Sequence, residues 1–265
     1  MVEQGVRGEA AIARLPVRDR VIVLSGLAAC ATLAWTYVLY LSWGMAHMDT
    51  VAVATMPSMM GWGVIDLLLV LAMWGVMMAA MMLPSSIPMV MSFASLAHQR
   101  RVRRLPCAKA GVFVLGYLAV WFAFSVLATL AQWGLLEARL LTPMMVSATP
   151  RFAGGLLIVA GVFQLTPLKR RCLTRCASPI GFLLNEWRDG TLGAWTMGWR
   201  HGMYCVGCCG VLMALLFAFG VMNVLWVVAL SIYVMLEKLL PRERWLPFAA
   251  GGLLLVWGIA VATAP

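Results

Sequence analysis

Apolar stretches close to the thickness of a lipid bilayer recur along this chain, and they constrain its fold more than any motif does. A helix that crosses ~30 Å of hydrocarbon needs roughly 20 apolar residues. Segments 21–43, 64–83, 111–134, 152–167, 202–219, 222–240 and 246–264 approach that length. Hydrocarbon offers no water to backbone N–H and C=O groups, so such segments must satisfy their own hydrogen bonds as helices. Composition agrees: 63% of the 265 residues are hydrophobic and only 11% charged, which excludes an ordinary soluble domain. The expected fold is an all-α, polytopic transmembrane helical bundle of about seven spans. Span two can continue past Pro84 and Pro88 to about Ala97 as a kinked helix. Spans five and six are separated only by residues 219–222, so they must form a tight helical hairpin. Leu27-Ala28-Ala29-Cys30 resembles a lipoprotein processing site, but the apolar run continues through Trp43, which suits a retained span better.

Charge placement gives an independent test. With the N-terminus cytoplasmic, 18 of the 20 Lys and Arg fall on the cytoplasmic side, and only Arg139 and Arg151 lie outside. Such an asymmetry is the positive-inside signature, and it indicates a multi-pass membrane protein with a cytoplasmic N-terminus. The net charge of +10 then reflects orientation in the membrane. The basic residues flank spans rather than forming a basic domain, so the lipid bilayer is the expected partner and nucleic acid is not. The chain reads as a cytoplasmic tail (1–20) and a single transmembrane domain (21–264) that includes a cytoplasmic loop, 168–200. Within that loop, Ile180–Leu184 reads as a short amphipathic element. No extracellular loop carries a cysteine, so reduced thiols are expected rather than structural disulfides.

The chemistry concentrates in span five. His201, Cys205 and Cys208 fall on one helical stripe, with Cys209 and Met213 beside it. Cys205 and Cys209 are one turn apart, so their sulfurs can meet. Thiolates and thioethers are soft ligands that select Cu(I), and thiolates with imidazole also suit zinc. A blander account competes: cysteine is a small apolar residue that lets helices approach, like Gly202, Gly207 and Gly210 around it. Span two offers the partner set, with Met73, Met77 and Met81 at i, i+4, i+8 and Met78 and Met82 on the next stripe. Methionine also packs ordinary cores, so the stripe gains weight from its depth: spans two and five run antiparallel, and both sulfur sets fall toward the cytoplasmic half. Asp66, on the methionine face, should meet a cavity, a partner or a bound cation rather than lipid.

Weaker constellations lie elsewhere. The outer loop carries Met45, His47, Met48 and Asp49, with Met56, Met59 and Met60, and could receive a cation. Cys172 and Cys176, four apart among Lys169, Arg170, Arg171 and Arg175, could bind metal or exchange disulfides. His98 reads as a solvated interface residue, and Glu237 with Lys238 as a satisfied pair or a snorkelling end of span six. There is no Gly-rich phosphate loop, Ser/His/Asp set or zinc-protease motif, so no catalytic group is identified.

Around these residues the chain resembles a bacterial family described as predicted metal-binding integral membrane proteins, of unassigned function. The resemblance rests on Trp74 to Pro84, on Gly116-Tyr117 with Trp121, and on Gln164 to Lys169 with Cys172 and Cys176. It continues through His201-Gly202, Cys205, Cys208-Cys209, Leu212-Met213, Gly220 to Asn223 and Glu237-Lys238, covering about 70–240. Where that family typically has an aromatic residue after the cysteine pair, this chain has Gly210. The resemblance implies metal binding by the Met and Cys elements and supplies no reaction.

The leading expectation is a Cu(I) site between spans two and five. Met77, Met81, Met82, Cys205, Cys208 and Cys209 are its candidate ligands. Met78 and Met213 lie alongside, and Asp66 and His201 act as neighbouring relay groups. Such a protein would hold or deliver copper, with a metallochaperone or membrane complex as partner. Two alternatives remain: a membrane thiol–disulfide electron carrier using Cys205/Cys208 and Cys172/Cys176, and a structural or assembly subunit whose cysteines merely pack.

Overall fold

The computed structural model describes residues 15–47, 62–106, 108–142, 145–240 and 245–264, with no side-chain account of 45–47. The helices are α1 (Val17–His47), α2 (Val64–Val102), α3 (Ala110–Glu137), α4 (Pro150–Leu165) and α5 (Pro167–Cys176). They continue with α6 (Pro179–Glu186), α7 (Gly190–Met213), α8 (Leu216–Phe219), α9 (Val224–Leu239) and α10 (Trp245–Ala262). Five segments are long and apolar enough to cross a membrane: Val17–Gly44, Val64–Val102, Ala110–Glu137, Gly190–Phe219 and Trp245–Ala262. The pair α4 and α5, bent by 68°, makes a sixth if counted as one span. At 16 residues, α4 and α9 are each only ~24 Å long, short of a full bilayer core. Large apolar side chains such as Leu33, Leu253 and Val256 point outward, as a lipid-facing surface requires.

One departure from the sequence reading matters for the site. The segment 168–200 is not an open loop: it holds α5, α6 and the first turns of α7, which begins 12 residues before the expected span. Thr166-Pro167 and Ser178-Pro179 start α5 and α6, since proline at the first helical position lacks only an N–H that would go unused there. The Ile180–Leu184 element falls within α6. As the sequence allowed, α2 continues past Pro84 and Pro88, reaching Val102. Proline removes a ladder donor, and nearby hydroxyls occupy the carbonyls of this stretch. Ser85 Oγ and Tyr117 Oη donate to the Met82 carbonyl at 2.9 and 3.1 Å, and Ser231 Oγ donates to that of Met81 at 3.4 Å.

Two glycine-lined seams set the helix spacing. Gly116 and Gly198 bring α3 and α7 into backbone contact: a Cβ on Gly198 would sit 2.0 Å from the Phe113 carbonyl oxygen. Gly154 and Gly161 of α4 do the same against Gly258 and Gly251 of α10. Such small residues let helices pack closely where no hydrophobic effect drives association. The tight turn expected after span five is present, with Gly220 at φ +96°, which a side chain would strain, and Asn223 capping α9 through Leu225 N–H.

Basic helix ends gather at one end of the bundle. Asp19 of α1 pairs with His98 of α2 (3.3 Å), and Arg100 of α2 pairs with Asp189 at the start of α7 (2.6 Å). Arg200 binds Glu186, and Arg175 donates to Tyr204 Oη at 2.7 Å. His98 is therefore held by a carboxylate rather than simply solvated.

Candidate metal centre

Helix α7 lays Gly198 and Gly202 on α3, and Cys205 and Cys209 continue that buried stripe toward Tyr117 of α3, Met82 of α2 and Lys238 of α9. Cys205, Cys208 and Cys209 are each at most 1% exposed. The Cys208 and Cys209 thiols both donate back to the Cys205 carbonyl, at 3.1 and 3.0 Å. That i−3/i−4 bonding keeps the sulfurs of one turn together. From α2, the Met82 thioether sulfur accepts from the Cys209 thiol at 3.9 Å. Sulfurs from two helices thus meet across the bundle, as the sequence led one to expect.

The cluster gathers more than those helices supply. Helix α5 seats against α7 at Gly207, where a Cβ would lie 2.9 Å from Cys172 Sγ. One turn on, Cys176 lies buried in the same core as Cys205, Cys208 and Cys209. Tyr117 Oη lies 3.3 Å from Cys205 Sγ, and Lys238 Nζ donates to Cys205 Sγ at 3.1 Å and to Ser85 Oγ at 2.7 Å. An ammonium out of water needs a compensating partner, and Cys205 is a contacting group able to carry negative charge.

Lys238 and Glu237 do not form the expected pair. Neighbouring helical residues point about 100° apart. Lys238 turns to the thiols, while Glu237 turns to Lys169, with Nζ at 2.7 and 2.8 Å from its two oxygens. Tyr233 Oη donates to Glu237 at 2.5 Å and accepts from Gln164 Nε2 at 2.7 Å, closing that network.

The remaining candidates divide. Met77, Met78, Met81 and Met213 are buried in the same core as the thiols. Met73 and Met77, however, line a small void of about 10 Å³ with Val38 and Leu41 of α1 and Val221 and Met222, away from the cysteines. His201 is buried in an aromatic cage of Phe113, Tyr117 and Phe182, and its Nδ1 has no hydrogen-bond partner. Asp66 does not join the site. It lies in the first turn of α2, where its carboxylate accepts from Gly63 N–H at 2.8 Å, as an acidic residue at a helix N-terminus commonly does. The outer-loop residues Met48, Asp49, Met56, Met59 and Met60 lie outside the described residues, as do the side chains of Met45 and His47.

Among the described residues, no group of three or more His, Cys, Asp or Glu side chains forms a ready-made metal cluster. The donor set is instead sulfur-rich, which suits a soft, low-coordinate ion once the thiols release the Cys205 carbonyl. Tyr117, Lys238 and Ser85 were not singled out as site residues from spacing. Tyr117 and Lys238 do sit within the stretches that carry the family resemblance.

A family model described as "Copper chaperone" (PpoB2) matches residues 71–261, which hold every sulfur, tyrosine and lysine of this cluster. No curated protein and no solved structure matches. The match spans well over half of the chain, so the chain belongs to the PpoB2 copper-chaperone family.

Proposed function

We propose that this protein binds Cu(I) within a bacterial inner membrane and hands it on, the ion being cargo rather than a resident cofactor. The carrying observation is the 3.9 Å contact between the Met82 thioether and the Cys209 thiol, in a cluster with Cys176, Cys205 and Cys208. Sulfur donors of both kinds are the ligand chemistry that favours Cu(I) over harder ions, with zinc the lesser fit. Cys205, Cys209 and Met82 are the inner ligands in this reading. Cys208, Met81, Met78 and Met213 line the same core, and His201 supports Tyr117 from below. We read the bundle as seven spans with a cytoplasmic N-terminus. The gathering of basic helix ends at one end supports that orientation, and the bent α4–α5 pair and α9 supply the two short crossings.

Anaerobic purification from copper-supplemented cells should yield stoichiometric copper in wild type, and Cys205→Ala with Cys209→Ala should remove it. Stoichiometric copper surviving that double substitution rules the reading out. A second reading, a thiol–disulfide carrier, is favoured by the burial of Cys176 in one core with Cys205 and Cys208. It requires a Cys176–Cys205 or Cys176–Cys208 disulfide after mild oxidation of metal-free protein, readable by peptide mass. Thiols that stay reduced count against it.

A further inference from the structure

The sulfur cluster is sealed on nearly every side, yet one cavity reaches its edge. A pocket of about 230 Å³ lies between α2, the α5–α6 turn and α9, lined among others by Pro84, Ser85, Pro88, Cys176, Pro179 and Lys238. Two of these residues belong to both places. Cys176 lines the pocket and is buried in one core with Cys205, Cys208 and Cys209 behind it. Lys238 lines the pocket while its ammonium touches Cys205 Sγ. Cys205, Cys208, Cys209 and Met82 are at most 1% exposed and do not line it.

We infer that this pocket is the port for copper and that Cys176 is its relay thiol, passing the ion between an outside donor and the Cys205/Cys209/Met82 set. This rests on the copper reading above. A close-packed interior does not let an ion diffuse through, so transfer needs a ligand at the boundary. Cys176 holds that place. The walls suit such movement, because Pro84 and Pro88 each remove one ladder bond from α2 and α6 begins at Pro179.

The port also selects the form of its cargo. Lys238 is the charged residue among its described lining side chains, so a bare cuprous cation is repelled and an anionic bis-thiolate complex is attracted. Transfer is then ligand exchange. The Cys176 sulfur bonds to copper as one donor Cu–S bond breaks, and the thiol proton leaves on the departing donor sulfur. Copper stays Cu(I) and nothing is oxidised. Two further exchanges move the ion to Cys205 and Cys209, whose thiol protons pass to the departing donor sulfur and back to Cys176, so Cu(I) stays bis-thiolate throughout.

The test uses the full-length protein in detergent under anaerobic conditions, loaded from the copper(I)–glutathione complex. Cys176→Ala should reach wild-type copper content but load at least about tenfold more slowly, a barrier change of about 1.4 kcal/mol. Met235→Trp, which fills the pocket and leaves every cysteine in the chain, should slow loading similarly. In unsubstituted protein, N-ethylmaleimide should label Cys176 before Cys205, Cys208 or Cys209, read by peptide mapping. Loading of either variant at the wild-type rate overturns the proposal, as does earlier labelling of an α7 cysteine. Loss of equilibrium copper from Cys176→Ala overturns it too, by making Cys176 a permanent ligand. Wild-type protein that binds no copper would instead sink the underlying copper reading.

Discussion

Lys169 and Lys238 both bury an ammonium within this bundle, Lys169 against a carboxylate and Lys238 against a thiol. Lys169 is fully buried, with both Glu237 oxygens on its Nζ, Tyr233 and Gln164 completing the network, and the Tyr233 ring 5.8 Å away. The ammonium and the carboxylate there are each other's countercharge. Among the described residues Lys238 has no carboxylate partner; its contacts are Ser85 Oγ and Cys205 Sγ. A closed pair holds α5 to α9, whereas an open one stands beside groups that can change their bonding. The two lysines lie 69 residues apart in sequence, on different helices, and only the surroundings tell architecture from chemistry.

The largest expected effect comes from breaking the closed pair. Lys169→Met or Glu237→Leu alone strands a buried charge and should destabilise the protein by about 3–5 kcal/mol. The double substitution removes both charges and should recover most of that loss, measured by denaturant unfolding in micelles. Copper content of the double variant should match wild type. If the single variants are as stable as wild type, the architectural reading of Lys169 fails, and with it the contrast.

Lys238→Met should behave differently on both counts. It removes one hydrogen-bonded ammonium from a site with no paired carboxylate, so the stability change should stay near about 1 kcal/mol. Loading from the anionic copper–glutathione complex should slow several-fold, while loading from the cationic acetonitrile complex of Cu(I) should not. Equal slowing from both sources would show that Lys238 acts on folding or packing rather than on the charge of the incoming complex.

How much of this was legible in the sequence follows from which contacts are local. The helices of the bundle were readable because apolar length alone dictates them, and the thiol face because Cys205, Cys208 and Cys209 share one turn. Burial of the methionines was readable as well, though not their division. Met73 and Met77 pack toward α1 and the Gly220 turn, while Met82 turns to Cys209, and helical spacing cannot separate the two directions. The 168–200 helices were obscured by basic residues that dilute the apolar pattern, although Thr166-Pro167 and Ser178-Pro179 were start signals in plain view. Lys238 was misassigned because adjacency suggested pairing with Glu237, whereas its partner is 33 residues earlier in the chain. Asp66 looked like an intramembrane carboxylate because it falls inside the apolar segment 64–83; in the first turn of α2 it accepts from the Gly63 N–H instead.

The smallest effect tests whether the thioether binds or merely fills space. Met82→Leu keeps volume and polarity and should cost less than about 1.5 kcal/mol of stability. If Met82 only packs, copper should be held as before. If its sulfur is a ligand, X-ray absorption at the copper edge should show the loss of one sulfur neighbour. Copper content should then remain near wild type while extraction by a Cu(I) chelator becomes faster. Met77→Leu, one turn and a half away on the side facing α1, should change neither the spectrum nor the extraction rate. Identical copper spectra and extraction rates for wild type and Met82→Leu would leave the thiols as the only metal-binding sulfurs and reduce α2 to a packing surface.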